Sequence, residues 1–583
     1  MKFKKVFLWF LGILILALGI GLGYLYFNAQ QIAQNIIRNK IIKSYNESPE
    51  TKYLLSLERI KLNLIDGSIQ LININATPKD SLVTYERNLD GKTIANTSLN
   101  VHIDEIALIG FDYMKAFNER NISIDEFKIH QPIIDVYQYE GVPGEDTIQQ
   151  DTIDLRSIFL TNYDTFRIKE IHLDNMAMSF YKLNEQLDTI NQIKLEEIDY
   201  RITNVTANKK TLYSTYYFEF ENYFVHTGNI IADLKNNPHL SLQSFNYNSE
   251  KEHLSVEGFE LKPRVSPTAF WRGRKYKKAW LQLNVNAIQM DSLNLKDWLT
   301  NKEIDISNLK VNKPKLLVYT NSTLEFHPND NKPMLGDIIK SLPFPIHVDE
   351  ADITDAQIEL DIIGKNTTQH GKLKFHNMNI MAYNITNIPR RIDQNKNLDI
   401  MVTTQLNHTG NIHSKLKIDL ASKVSTTQFD VNAKNLDLKK FTSILKPILR
   451  ISILDGKMVA LKINSTLDSH GGRGQMDAHY RDLKLQLESK ELSKNPGFFN
   501  KVVSDLANGI LKTQNIPGDK FYHQGNFEFP KSKNDAFFKM LWLTTLYGLE
   551  DSVFGSESRD QRRIKHEERK KKNKDKWWKS TIL

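Results

Sequence analysis

The sequence predicts a mainly β fold with flanking helices, in which an N-terminal transmembrane helix is followed by a duplicated, twisted antiparallel β-sheet. Three observations carry that expectation. A charge-free hydrophobic run extends from Val6 to Phe27. From Tyr53 to about residue 490, apolar residues alternate with polar ones, the period of a half-buried strand. Residues 99–137 match residues 281–319 without a gap.

The hydrophobic run is 22 residues long. As a helix rising about 1.5 Å per residue it reaches roughly 33 Å, enough to cross a hydrocarbon core of about 30 Å. A cleavable secretory signal is the alternative, but its apolar region would run to about 7–15 residues and end in a small-x-small site. Tyr24, Tyr26 and Phe27 occupy that end instead, as aromatic side chains do at a membrane interface. Val6, Trp9, Phe10, Tyr24, Tyr26 and Phe27 are therefore the expected anchoring residues. Lys2, Lys4 and Lys5 precede the run, which keeps the N-terminus cytoplasmic and places the bulk of the chain across the membrane.

The expected organisation is a flank and anchor over residues 1–30, a β region over 31–490, a helical cap over 491–555 and a basic tail over 556–583. Ile32, Ile36, Ile37, Ile41 and Ile42 recur at helical spacing within Gln31 to Ser44 and predict a short amphipathic helix. Leu55, Leu57, Ile60, Leu62 and Leu64 then lead into the hairpin dipeptide Asp66-Gly67, after which Ile69 and Leu71 follow.

In the ungapped match, Leu99, Val101, Ile103, Ile106, Leu108 and Phe111 correspond to Leu281, Leu283, Val285, Ile288, Met290 and Leu293. The offset is 182, and a proline, Pro132 against Pro314, is kept with the helical turn at Met114 to Asn118. Two strand segments, a turn and a proline retained together predict an internal duplication. A fainter echo lies 44 residues after the first copy, where Ile168, Ile171 and Leu173 repeat the spacing of Ile124, Phe127 and Ile129. The three-residue step in that spacing predicts a β-bulge, which bends a strand and increases its twist. Such strands have one apolar face, which another layer must cover or an apolar molecule must occupy.

Helical spacing returns at Pro496 to Lys512 and Asn534 to Phe554. In the second stretch Phe537, Phe538, Leu541, Trp542, Leu546, Leu549 and Val553 form the expected apolar face, and Lys539, Glu550 and Asp551 argue against a second span. Capping the end of the sheet and lying on a membrane are its two readings. The tail Arg559 to Lys579 carries eleven Lys or Arg against four Asp or Glu, with Trp577 and Trp578 as interfacial anchors, and reads as disordered.

Composition excludes several functions. The chain has no cysteine, hence no disulfide, thiolate zinc site or cysteine nucleophile. Its formal charge is +8, of which the tail supplies +7 and the N-terminal lysines +3, so the body is slightly acidic and nucleic acid is not an expected partner. His470-Gly471-Gly472 resembles an oxyanion loop, but no G-x-S-x-G elbow accompanies it and it reads as a turn. No phosphate loop, HExxH helix or EF-hand occurs, so no catalytic residue, metal ligand or cofactor is expected. A glycosidase built on two distant carboxylates is the weaker alternative.

Taken together, the motifs resemble the AsmA-like proteins of Gram-negative envelopes, relatives of TamB and of the chorein-type bridge-like lipid-transfer proteins. The resemblance rests on the anchor and helix, on LERIKLNLIDGSIQLININ at Leu57 to Asn75, on LNVHIDEIALIGFDYMKAF and ISIDEFKIHQPIIDVY, on Phe429 to Asn464, and on Gly472 to Leu487. It implies a single-pass inner-membrane protein whose periplasmic sheet forms an elongated groove for phospholipid acyl chains. About twenty strands at about 4.8 Å spacing would extend on the order of 100 Å. The inner membrane and a phospholipid ligand are the implied partners, with outer-membrane or envelope assembly proteins beside them. Leu99, Val101 and Ile103, and their counterparts Leu281, Leu283 and Val285, would line the groove. The competing class is a scaffold for outer-membrane protein assembly, in which packing closes the same face.

Overall fold

Residues 37, 42–48, 53–63, 66–79, 97–139, 163–184, 186–211, 218–235, 238–295, 298, 302–364, 369–487 and 512–554 are described in a computed structural model of the chain. The expected anchor with Val6, Trp9, Phe10, Tyr24, Tyr26 and Phe27, nearly all of Pro496 to Lys512, and the basic tail lie outside them. Among the described residues no helix is long and apolar enough to cross a membrane. Twenty-two strands form a mixed, mostly antiparallel sheet. The chain divides into two compact units, residues 1–259 and 260–583.

In the first unit a short helix, α1 (Lys43–Glu47), precedes β1 (Tyr53–Asn63), β2 (Ser68–Pro78), β3 (Thr97–Ile109), α2 (Tyr113–Asn118), β4 (Asn121–Tyr139), β5 (Thr165–Leu183) and β6 (Thr189–Asn208). Then come β7 (Asn222–Thr227), β8 (Ile230–Leu234), β9 (His239–Leu242), β10 (Ser244–Asn248) and β11 (His253–Lys262). β1 to β4 form an antiparallel meander, and the two halves of β6 pair with β7 and β8. The Asp66-Gly67 turn joins β1 to β2, with Gly67 at φ +63°. An added Cβ there would lie 2.4 Å from the Phe111 carbonyl oxygen, so the close approach requires glycine.

The second unit holds α3 (Pro267–Trp271), β12 (Trp280–Asp291), β13 (Ile304–Asn312), β14 (Lys315–Asn321), α4 (Leu335–Lys340), β15 (Ile346–Ile363), β16 (His370–Thr386), α5 (Pro389–Gln394), β17 (Asn397–Leu406), β18 (Thr409–Asp419) and β19 (Thr427–Asp437). It ends with α6 (Thr442–Leu449), β20 (Ile451–Leu467), β21 (Gly471–Leu487), β22 (Gly525–Pro530) and α7 (Phe537–Phe554). From β15 to β22 each strand is antiparallel to the next.

The sheet is mixed, which corrects the expectation of a purely antiparallel one. β4 runs parallel to β5, and β13 and β14 run parallel to β15. Parallel neighbours need a crossover of a dozen or more residues. The segments 140–164 and 322–345 are each longer than that. The 44-residue echo is the first of these registers, since Ile124, Phe127 and Ile129 pair with Ile168, Ile171 and Leu173.

The matched segments share one register. Leu99 pairs with Val136 and Val101 with Ile134; 182 residues on, Leu281 pairs with Val318 and Leu283 with Leu316. Left-handed residues correspond as well: Gly110 and Ser292, Arg120 and Lys302, Gln131 and Lys313 at offset 182; Asn175 and Asp355, Glu197 and Asn377 at offset 180. The step from Ile168 to Ile171 pairs without a register shift; the bulge lies further along, at Leu173 to Met178 in β5 and Ile353 to Ile358 in β15. It is held alike in both, with the Asn175 N–H donating to Asp199 Oδ1 at 2.8 Å and the Asp355 N–H donating to Asn379 Oδ1 at 3.0 Å. The correspondence thus extends through β5 and β6 against β15 and β16, with a two-residue shift in the crossover.

At the far end α7 packs on β21 and β22 along part of the expected apolar face, with Phe537 in the core and Leu541, Leu549 and Val553 packed against it. Phe537, Met540, Thr544, Gly548, Asp551 and Ser552 are buried, whereas Phe538 and Trp542 are exposed. Close approach explains this, because an added Cβ on Gly525 would lie 2.6 Å from the Gly548 carbonyl oxygen. Small and hydrogen-bonded residues fit that gap and large apolar ones do not. Ser552 Oγ donates to Gly548 O, and Asp551 Oδ2 accepts the Asn526 N–H at 2.8 Å.

Candidate functional site

Alternation places every second side chain of a strand on one sheet face, and register then aligns those side chains across strands. In the first unit this produces two apolar rows. One runs Leu99, Val136, Phe180, Ile193, Ala232, Leu240; the other runs Val101, Ile134, Met178, Leu195, Ile230, Leu242. In the second unit the rows are Leu281, Val318, Leu360, Leu373 and Leu283, Leu316, Ile358, Phe375, Leu406. The first four members of each correspond between units.

Coverage differs along the rows. Leu99, Val101 and Ile103 are 5%, 7% and 8% exposed, packed in a core with Ile37, Leu55, Leu57, Leu71 and Ile74. Further along, Val136, Met178, Ile193 and Leu195 are half-buried, and Phe180 is 38% exposed. In the second unit Leu281 is 43% exposed and Leu283, Leu316, Val318, Ile358 and Leu360 are half-buried, while Val285 is buried. Leu373 is also buried, at the end of β16 where Gly371 faces Ile444 and Ile448 of α6. A second closed core joins β18 to β22 with α7.

The opposite face is mostly polar, with Leu317 beside Gln282 and Ile133 beside His102 as apolar members. Gln282 Nε2 donates to Asn284 Oδ1, and Asn284 Nδ2 donates to Glu260 Oε1. In the first unit parallel pairing gathers ionisable groups that sequence spacing leaves apart. Glu126, Glu170 and His172, and His172, Asp174 and Asp199, bring ligand-type atoms within 4.8 Å of one another. They are already engaged: Lys128 and His130 reach Asp174 at 3.1 and 2.7 Å, and Arg201 reaches Glu170 at 3.1 Å. Burial pushes the Asp174 carboxyl up, but the bonds from His130 and Lys128 outweigh it and hold it below the ordinary aspartate range. His470-Gly471-Gly472 lies at the β20–β21 turn, where Asp468 Oδ1 accepts the His470 and Gly471 N–H groups.

The arrangement offers contiguous, uncharged, partly covered apolar surface with polar groups on the far side, which suits binding of hydrocarbon. Comparison with models of known protein families and with curated proteins finds no match to this chain.

Proposed function

We propose that the protein is an inner-membrane anchored, periplasmic carrier of phospholipid acyl chains that supports lipid supply to the outer membrane and its assembly. The observation that carries this reading is the pair of apolar rows, repeated at corresponding registers in both units and left partly uncovered in each. Each CH₂ moved from water onto such a surface gains about 0.8 kcal/mol when fully covered, so a chain lying along several strands is held without any polar contact. Head groups remain in water. On this reading the duplicated, bulged strands contribute the apolar groove surface, and the charge-free run Val6 to Phe27 is the anchor. The resemblance to AsmA-like proteins, drawn from the order of motifs, points the same way.

A second reading, a closed structural scaffold, is favoured only where Leu99, Val101 and Ile103 are packed shut. The two readings separate at Leu283→Asp, compared with Asn284→Asp on the opposite face. A carboxylate among acyl chains opposes their passage by several kcal/mol. The carrier reading expects Leu283→Asp protein to fold, to hold less phospholipid by mass spectrometry than Asn284→Asp protein, and to fail in restoring envelope integrity. Equal lipid content and equal restoration would overturn it.

A further inference from the structure

Clustered positive charge is not confined to the chain ends. The seventeen residues 262–278 hold seven Lys or Arg and no Asp or Glu, a cluster the sequence-based reading of charge overlooks. They lie in the second unit and form an ordered surface. Ser266 caps α3 by accepting the Ala269 N–H, and two buried indoles fix the loop: Trp271 Nε1 donates to Lys278 O at 3.0 Å and Trp280 Nε1 to Val265 O at 2.8 Å. With the tryptophans turned inward, Arg272, Arg274, Lys275 and Lys278 are exposed, and none of them forms an ion pair among the described residues. Arg274 lies 4.4 Å above the Phe270 ring.

The same surface continues onto the start of α7. The Lys277 N–H donates to Glu325 O at 2.7 Å, and the Lys277 and Lys539 ammonium groups lie 4.9 and 6.0 Å from the one Phe326 ring. Lys533 Nζ donates to Pro328 O at 2.7 Å. Phe538, 74% exposed, and Trp542, 36% exposed, are therefore carried on the element that adjoins the basic loop. The local acids are few: Glu325 is exposed, Asp330 pairs with Lys332 and Asp535 with Lys539.

We infer that this patch, the loop 262–278 together with the exposed aromatic side chains of α7, docks on the surface of a bilayer containing anionic phospholipid. Uncompensated guanidinium and ammonium groups attract a negatively charged leaflet, each strengthening association about fivefold near the surface. Aromatic side chains beside them gain by entering the interface. A nucleic acid or an acidic protein would use the charges but would leave Phe538 and Trp542 in water. The eleven Lys or Arg of Arg559 to Lys579 follow α7 in sequence and carry the same sign of charge. The inference is independent of whether the apolar rows carry lipid.

The test uses the full chain, which has no cysteine. Phe538→Cys is labelled with the environment-sensitive fluorophore NBD, with the protein held in phosphatidylcholine nanodiscs. Vesicles of phosphatidylcholine mixed with phosphatidylglycerol should raise the emission and shift it to the blue. Vesicles of phosphatidylcholine alone should not. Arg272→Gln/Arg274→Gln/Lys275→Gln should weaken the response by about 100-fold, with a circular dichroism melting curve shifted by no more than the loss of one exposed bond, from Arg274 Nε to the Phe270 carbonyl oxygen. Leu283→Asp should leave the response intact, which separates this surface from the carrier reading. The inference is overturned if the mixed vesicles give no response, if both vesicle types respond equally, or if the triple variant responds like its parent. An equal response to vesicle-free duplex DNA or polyglutamate overturns the assignment to a lipid surface.

Discussion

β3 to β6 and β12 to β16 have corresponding backbone plans and different coverage. Pairing and left-handed positions recur at an offset of 182, and the bulge bond at 180 after the crossover, yet Leu99 and Val101 are enclosed while Leu281 and Leu283 are accessible. Register is set locally, by alternation and by the turns and bulges between strands. Closure depends on what else packs on the face. In the first copy β1 and β2 extend the same face through Leu55, Leu57, Leu71 and Ile74, and Ile37, Ile42 and Tyr45 pack with them in one core. The polar faces have diverged too, since His130, His172 and Asp174 of the first copy correspond to Asn312, Asp352 and Thr354 of the second, while Lys128 is kept as Lys310.

The largest effect expected from this comparison is at the paired positions Val101 and Leu283. Val101→Asp buries a carboxylate in a closed core and should cost about 4 kcal/mol or more, visible as a collapse of the urea midpoint of the first unit. Leu283→Asp should cost about 1 kcal/mol, because water reaches that row. Equal losses would show that both copies are equally closed.

Gly110 and Ser292 sharpen the comparison at a smaller scale. Both have positive φ, +69° and +61°, a conformation costing a side-chain-bearing residue about 1–2 kcal/mol. A Cβ on Gly110 would also meet Asp125 Oδ2 at 2.2 Å. Gly110→Ser should therefore lose about 1–2 kcal/mol in thermal unfolding. Ser292→Gly should gain about 0.5 kcal/mol, since glycine relieves the strain but loses the Ser307 hydroxyl bond and adds unfolded-state entropy.

The bulge bonds come next. Asp199→Ala and Asn379→Ala each remove the acceptor of one backbone N–H and should cost about 1 kcal/mol. Asp199→Asn should be close to neutral, because the second copy makes the same bond with an amide. A large loss in Asp199→Asn would mean that charge, and not geometry, holds the first bulge.

The smallest effect is a difference in acid sensitivity. Asp174 has a depressed carboxyl in the folded state, so its contribution is present above the ordinary aspartate value and is lost as pH falls through the folded value. Thr354 at the corresponding position cannot titrate. Hydrogen exchange should therefore rise in β5 before β15 as pH drops below about 4, and Asp174→Asn should remove that difference.

Alternation made the strands legible, and the ungapped match made the common register of the two copies legible. The parallel pairing of β4 with β5 was present in the 44-residue echo, but spacing alone does not reveal whether similar segments lie side by side. Part of the buried face of α7 was hidden for another reason. Phe537, Leu541, Leu549 and Val553 of the apolar stripe pack inward as expected, whereas Gly548 and Ser552 are buried because the helix backbone approaches Gly525, a contact between distant segments. The candidate site was half legible: facing follows from alternation, but openness at Leu281 and closure at Leu99 depend on layers that no local pattern encodes. The basic loop 262–278 was legible in composition and became a surface only once Trp271 and Trp280 turned inward.

The central claim is that the partly covered rows hold acyl chains. Its most direct test is to place a photo-crosslinking benzoylphenylalanine at position 283, 284 or 101 of the full chain in living cells, irradiate, and analyse the adducts by mass spectrometry. The account predicts phospholipid adducts at position 283, on the open row, and none above background at Asn284, on the polar face, or at Val101, in the closed core. Phospholipid adducts absent from position 283, or equally abundant at 284, would contradict it.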